Sequence, residues 1–254
     1  MTAPRRFDGA RVLITGATRG IGFACAQAFL AEGARVAVNG RSTASVAAAQ
    51  ARLGAGTVAA PGDVSTAAGC EVTVKSALQA FDRLDILVNN AGVFLRATVG
   101  DTEEADWDLV MNANVKSVQF CTRAALPALR AAKGAIVNVA SESGLNGYGQ
   151  TTAYCASKGA VVNLTRAMAM EFAPDVRVNA LCPGVVETDM SRAGFAIDGD
   201  EDAGMRQQRQ SYPLQTIGTT DQAAQAVLYL ASEAAGFING AALPMEGGAT
   251  AGKW

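Results

Sequence analysis

Short apolar runs alternate with stretches of helical period along almost the whole chain. Residues 12–14, 35–38, 57–60, 85–88, 135–140, 175–181 and 241–244 each gather small or aliphatic residues in a row. That is the look of strands covered on both faces rather than strands with one wet face. After the first run, Ile21, Ala24, Cys25, Ala28, Phe29 and Leu30 recur at helical spacing until Gly33 stops them. After the fifth, Val161, Leu164, Met168 and Phe172 keep a spacing of three or four, so one stripe of that helix faces a core. Residues 101–109 start a helix with an acidic first turn, as the helix dipole favours. The polar run 111–115 interrupts or continues it, and Pro127 predicts a bend in the helix that follows. Residues 221–230 make the last helix.

Strand followed by helix, repeated to the end, predicts a parallel sheet with helices on both faces. There is no internal repeat, low-complexity tract or linker. The expected fold class is therefore α/β: a single Rossmann-like domain over residues 1–254, doubly wound, with a sheet of about seven strands. Residues 190–212, polar, glycine-containing and acidic around Asp198 and Asp202, are expected to form a mobile substrate lid.

Composition narrows the function. Half of the residues are hydrophobic and 17% are charged, with a net charge of −2 and no basic run longer than Arg5-Arg6. Nucleic acid and anionic membrane are not expected partners. No apolar stretch approaches a membrane span, and no apolar segment follows the N-terminal arginines as a secretory leader requires. Cys25, Cys70, Cys121, Cys155 and Cys182 are scattered and never form C-x-x-C, which suits reduced thiols in the cytoplasm. Histidine is absent altogether, so His triads, His-ligated metals and His proton shuttles are excluded and no metal is expected. An acid/base enzyme built on this chain must move its proton on Tyr, Lys, Asp, Glu or Cys.

Between the first strand and the first helix lies Thr15-Gly16-Ala17-Thr18-Arg19-Gly20-Ile21-Gly22. Glycines there let the backbone turn sharply and approach a pyrophosphate, while the helix N-terminus offers unpaired N–H groups to the anion. Glycines kept only for packing would look the same, and the spacing differs from G-x-G-x-x-G. A cofactor with a free ribose 2′-hydroxyl calls for Asp or Glu at the end of the second strand. The chain has Asn39-Gly40-Arg41-Ser42 instead. Arg41 and Arg19 suit a 2′-phosphate, because a guanidinium pairs with phosphate in a forked geometry, and this places NADP(H) ahead of NAD. Plain surface arginines, with Ser42 as a helix cap, are the alternative.

Tyr154 and Lys158 are four apart, one turn from each other on one helix face, and Ser141 ends the strand before them. A free phenol with a pKa of about 10 holds its proton at neutral pH, and a neighbouring ammonium is expected to ease that proton off. Ser141 can hold a carbonyl or hydroxyl oxygen meanwhile. Alone, the pair also describes a solvated helix face.

Taken together, Thr15-Gly-x-x-x-Gly-Ile-Gly22, Asp63-Val64, Asn89-Asn-Ala-Gly92, Asn114, Ser141, Tyr154-x-x-x-Lys158 and Pro183-Gly184 resemble the single-domain short-chain dehydrogenase/reductases over nearly the whole chain. The resemblance implies that Gly16, Thr18, Arg19, Gly20, Ile21 and Gly22 hold the cofactor pyrophosphate, with Arg41 and Ser42 beside the adenosine end. It implies that Asp63 and Val64 bind adenine and that Asn90, with Ala91 and Gly92, lines the adenosine-side ribose. Val186 and Thr188 would fix the nicotinamide carboxamide, and Pro183 and Gly184 would also touch the cofactor. Lys158 would hold the nicotinamide ribose and lower the pKa of Tyr154, Ser141 would bind the substrate oxygen, and Asn114 would support a proton-relaying water. The implied activity is hydride transfer between NADP(H) and a small-molecule carbonyl or secondary alcohol, in a homotetramer. An NAD-dependent polyol or sugar dehydrogenase, a 3-oxoacyl thioester reductase and a non-catalytic NADP-binding protein are the alternatives. Ala173-Pro174-Asp175 lacks the basic residue often found there in acyl-carrier-protein reductases, although Arg130 and Lys133 remain. Residues 93–96, 142–148 and 185–212 are expected to line the substrate pocket, with no evident charged anchor. The tail ending in Trp254 either packs on a neighbouring subunit or is disordered.

Overall fold

The computed structural model describes residues 5–252; Lys253 and Trp254, with the question of what the tail packs on, lie outside them. Its centre is a seven-stranded sheet, every pairing parallel, in the order β3-β2-β1-β4-β5-β6-β7. In chain order the strands are β1 Arg11–Ile14, β2 Arg35–Val38, β3 Thr57–Ala59, β4 Ile86–Asn89, β5 Ala135–Val139, β6 Arg177–Pro183 and β7 Ala242–Met245. The helices among the described residues are α1 Gly20–Ala31, α2 Thr43–Leu53, α3 Ala67–Phe81, α4 Glu104–Met111, α5 Ser117–Ala132, α6 Thr152–Phe172, α7 Asp189–Phe195, α8 Glu201–Gln210 and α9 Thr220–Ala231. None of them is long and apolar enough to cross a membrane.

Alternate residues of each strand feed two separate cores, as expected for strands covered on both faces. Val12, Ile14, Val36, Val38, Ile86, Val88, Val137, Val139 and Leu181 pack against α1 and α9. Leu13, Ala37, Leu87, Ile136, Val178 and Ala180 pack against α3, α5 and α6. Val161, Met168 and Phe172 of α6 are buried in that second core, with Leu164 packed against its edge. The polar run after α4 does not break the helix: Asn112–Lys116 winds as one π-helical turn leading straight into α5, which continues through Pro127. Proline removes one N–H and crowds the carbonyl four residues earlier, and the surrounding turns carry the helix past it.

Because the strand order reverses beside β1, the carboxyl ends of β1 and β4 diverge into helices on opposite faces and leave a crevice between them. The segment 190–212, expected as a mobile substrate lid, is built of α7 and α8 with a small core of their own, in which Met205 and Tyr212 meet Val185 and Ile217. Arg192 ties the two helices together through Glu187, Glu201 and Asp202.

One half-buried cation fixes the far end of the sheet. The Arg177 guanidinium, at the start of β6, donates to the carbonyls of Leu230, Ala231, Ser232 and Ala235 at 3.0–3.1 Å, closing the last turn of α9. These are the orphan acceptors that any helix C-terminus leaves. Arg177→Ala should therefore cost about 2–4 kcal/mol in urea unfolding, and Arg177→Lys should recover only part of it, since an ammonium cannot fork across four acceptors. A loss below about 0.5 kcal/mol would show the cap to be dispensable.

Candidate active site

The turn after β1 is held from three sides. Gly16 and Gly20 take φ of +64° and +57°, a region that side chains resist. A Cβ on Gly22 would lie 2.4 Å from both Asn90 Nδ2 and the Gly16 carbonyl oxygen, so only glycine fits there. Asn90 Nδ2 donates to the Thr15 and Gly16 carbonyls at 3.0 Å each, and Thr15 Oγ1 accepts from the Asn90 and Ala91 N–H groups. Asn39 turns inward: its Oδ1 accepts from the Gly16 N–H, and its Nδ2 is shared among the Ala60 and Gly62 carbonyls and Thr73 Oγ1. Asn39 is thus a structural strut of the turn.

The cradle fits a pyrophosphate. Arg19 stands at the N-cap of α1 yet supplies no side-chain cap, which leaves the first N–H groups of the helix for an anion. Arg19 and Arg41 are both exposed and make no ion pair among the described residues. A Cβ on Gly40 would meet Thr18 Cγ2 at 2.5 Å, so the turn and the end of β2 touch, with each arginine one residue beyond the contact. Ser42 caps α2 by accepting from the Ser45 N–H. Asp63 is exposed and accepts from the Ser65 N–H, while Val64 is buried. On the other side Thr188 forms a reciprocal capping pair with Ser191 at the start of α7, its methyl 3.4 Å from where a Cβ of Gly20 would stand. Val186 accepts from Ser191 Oγ, Pro183 ends β6, and Gly184 lies against the Tyr212 ring.

Ser141, Tyr154, Lys158 and Asn114 converge at the carboxyl end of β5. Ser141 is buried; its Oγ accepts from the Ser143 N–H at 3.2 Å and reaches the Pro183 carbonyl at 3.4 Å. Lys158 is 5% exposed, and its Nζ donates to the Val139 carbonyl at 2.9 Å, which pins α6 to β5. Nζ stands 5.7 Å from the centre of the Tyr154 ring. Asn114, in the π-helical turn, accepts at Oδ1 from the Val93 N–H and donates to the Val93 carbonyl and to Ser157 Oγ. Ser157 Oγ in turn donates to the Tyr154 carbonyl at 2.7 Å, so Asn114 acts on the site as a clamp. Gly92 fills the gap between them: a Cβ there would be 2.9 Å from Asn114 Oδ1 and 3.7 Å from Lys158 Nζ.

Three side chains around Tyr154 are not singled out by the sequence, although two of them fall in the stretches 93–96 and 185–212 expected to line the pocket. Phe94 meets its ring edge-on at 5.0 Å and Phe195 extends that aromatic wall at 5.2 Å from Phe94. Ser157 is the third; a serine three residues after a tyrosine is unremarkable until the helix places it under Asn114.

Burial dominates the electrostatics of both groups. It pushes the Tyr154 phenol up to about 12, with the Ser141 hydroxyl pulling it partly back. It brings Lys158 down from 10.5 to about 8. Desolvation penalises whichever charged form is buried.

Carrying the Lys158 charge at neutral pH costs the fold roughly 3 kcal/mol. The folded chain releases this proton at lower pH than the unfolded one, so stability rises between about pH 8 and 10.5 and is lowest below 8. Lys158→Met should consequently be at least as stable as the parent at pH 7, with any gain shrinking as the pH approaches 10. Denaturant melts at both pH values check this, and a variant less stable at pH 7 by more than about 1 kcal/mol contradicts it.

Known proteins are similar to this chain over most of their length. The sequence model of a family described as enoyl-(acyl carrier protein) reductase matches residues 16–250. The chain is 40% identical to meso-2,3-butanediol dehydrogenase of Serratia marcescens over 248 residues, covering 97% of this chain and 96% of that protein. It is 41% identical to 2-(S)-hydroxypropyl-CoM dehydrogenase 3 of Xanthobacter autotrophicus, covering 94% and 96%. Among solved structures, levodione reductase superposes with a TM-score of 0.94 at 30% identity, over 98% of this chain and all of that one. With the doubly wound parallel sheet, the glycine cradle and the Ser141–Tyr154–Lys158 cluster in place, these similarities establish that the chain belongs to the short-chain dehydrogenase/reductase family, oxidoreductases that use a nicotinamide dinucleotide.

Proposed function

We propose that the chain is an NADP(H)-dependent oxidoreductase that interconverts a ketone and a secondary alcohol, with Tyr154 as the general acid and base. The observation that carries this reading is the convergence of Ser141, Tyr154 and Lys158 at the end of β5, beside a cradle whose glycines admit a pyrophosphate. The relatives named for butanediol and hydroxypropyl-CoM, both secondary alcohols, support the substrate class. When bound, the reduced nicotinamide supplies a hydride to the carbonyl carbon. Ser141 holds the carbonyl oxygen, and as that oxygen gains charge the Tyr154 hydroxyl gives it a proton. Lys158 carries the compensating positive charge behind the phenol and contacts the nicotinamide ribose. Asn114 positions Tyr154 through Ser157 and Gly92 through Val93. Phe94 and Phe195 keep water from the reacting carbon, and α7 with α8 forms the lid over it.

The choice of NADP(H) rests on Arg19 and Arg41, exposed and unengaged on either side of the Gly40–Thr18 contact, and on the inward commitment of Asn39, which leaves no acid at the end of β2. Asp63 and Val64 take the adenine, and Thr188 with Val186 the carboxamide. Assembly as a homotetramer belongs to the same reading, supported by the exposed apolar side chains of Met170 and Phe237. The five free cysteines support a reducing, cytoplasmic setting.

Tyr154→Phe should bind NADPH with nearly unchanged affinity while turnover falls by at least ~10². Turnover within about threefold of the parent would remove Tyr154 from the reaction. Arg41→Ala should lower the kcat/KM ratio of NADPH over NADH about tenfold or more, and an unchanged ratio would sever Arg41 from cofactor choice.

The pH dependence has a definite sign. With the phenol near 12 and the ammonium near 8, both groups hold their protons below pH 8. Ketone reduction should be level below about 8 and fall above it, as Lys158 loses its charge. Alcohol oxidation, which needs the phenolate, should rise tenfold per pH unit and level off at about 8. Initial rates in both directions between pH 6 and 10 test this, and a reduction rate still level at pH 10 would contradict it.

A further inference from the structure

The Phe94 ring is fixed from three directions. It meets the Tyr154 ring edge-on, with centroids 5.0 Å apart and planes at 82°, and Phe195 lies against it at 5.2 Å. The third contact is with backbone. Gly194 lies inside the seven-residue helix α7, and a Cβ there would stand 2.7 Å from Phe94 Cδ1 and 2.9 Å from Cε1. Two carbons pack at about 3.5–4.0 Å, so any side chain at 194 would drive the ring out of its place. Glycine weakens a helix relative to alanine, and its presence within so short a helix answers to the ring.

The main chain under Phe94 is held as firmly. Asn114 takes both polar groups of Val93, accepting from its N–H at 2.8 Å and donating to its carbonyl at 3.0 Å. Three residues past Phe94, the Ala97 N–H donates to the Gln150 carbonyl at 2.7 Å, and Ala97 bridges Thr151, the N-cap of α6. The stretch 93–97 is therefore stapled at one end to Asn114 and at the other to the helix that carries Tyr154. Phe94, Phe195 and Tyr154 are each half-buried. With Tyr154 on one flank of the Phe94 ring and α7 on the other, its uncovered part borders the crevice beside the phenol. That wall presents hydrocarbon and no hydrogen-bonding group, and its backing leaves it no room to withdraw. A rigid, close-packed surface rejects added volume instead of relaxing around it.

We infer that Phe94 is a specificity-determining residue that walls the phenol side of the substrate pocket, so that the ketone carries a small alkyl group such as methyl there, and that Gly194 sets where the wall stands. This role rests on the assignment of Ser141 and Tyr154 to the reacting carbonyl. A ketone with one small substituent, like the secondary alcohol that corresponds to it, can turn that substituent to Phe94 and leave the bulkier one on the open side. A ketone branched on both sides has no such choice.

The test compares 3-methylbutan-2-one, with a methyl group on one side, and 2,4-dimethylpentan-3-one, branched on both, each with NADPH. For the parent, kcat/KM on the first should exceed that on the second by ~10² or more. Phe94→Ala should cut this ratio about tenfold or more; should that variant fail to fold, Phe94→Leu, which keeps an apolar side chain, should cut it about threefold or more. Gly194→Ala pushes the ring toward the crevice and should lower kcat/KM on 3-methylbutan-2-one about tenfold or more. The same change made in Phe94→Ala should lower it less than about threefold, because the added methyl then enters vacated space. Equal reduction of both ketones by the parent overturns the proposal alone, as does a Phe94→Ala variant that keeps the parent ratio or a Gly194→Ala loss of the same size in both backgrounds. Reduction of neither ketone by the parent removes the assignment of Ser141 and Tyr154, and the proposal with it.

Discussion

A charged amine buried under the end of a β-strand is the constraint on which this site depends. Lys158 Nζ reaches the Val139 carbonyl from the middle of α6 and so fixes the height and rotation of that helix against β5. Tyr154, one turn earlier on the same helix, inherits its position from that bond, and Ser141, two residues past Val139, inherits its own from the strand. The approach is close enough that Gly144 has no room for a side chain: a Cβ there would sit 2.6 Å from the Lys158 carbonyl oxygen. Gly92 meets the same restriction from the other side, against Asn114. The arrangement is costly to the fold, since the ammonium is desolvated with one backbone carbonyl as its partner. Retaining it at that cost is what an active site does when chemistry and stability compete.

The sheet topology explains why such a cluster sits beside a cofactor cradle. Parallel strands bring their carboxyl ends to one edge, and reversal of the strand order at β1 and β4 opens the crevice there. The polar side chains that hold the crevice open are spent on backbone. Thr15, Asn39 and Asn90 pay their hydrogen bonds to the turn after β1 and to its neighbours, making it rigid before any ligand arrives. Asn114 does the same for Val93.

Much of this was legible in the sequence because period and spacing carry it. Seven apolar runs alternating with helical stretches sufficed for the sheet, and the glycine turn, Tyr154-x-x-x-Lys158 and the strand-end motifs marked residues that the structure gathers at the carboxyl ends of the strands. What stayed hidden depends on contacts far apart along the chain. Nothing local distinguishes Asn39 as a strut from a loop asparagine, or Arg177 as a cap for a helix more than forty residues later. Phe94 and Glu142 lie in stretches expected to line the pocket, but nothing local shows that Phe94 meets Tyr154 or that Tyr212, 70 positions on, closes over Glu142. The polar composition of residues 190–212 did not show its helices, which depend on caps at Thr188 and Asp200 and on the Arg192 ion pairs. The raised Tyr154 and lowered Lys158 were hidden for a further reason: spacing reports proximity but not burial, and burial is the largest cause of both shifts.

The most direct test of this account is an NMR titration of Lys158 in the intact protein, with lysine labelled at its ε-carbon and Lys158→Met used to assign the resonance. The account predicts a midpoint near pH 8. A midpoint at about 10.5, the value of a solvated ammonium, would contradict it.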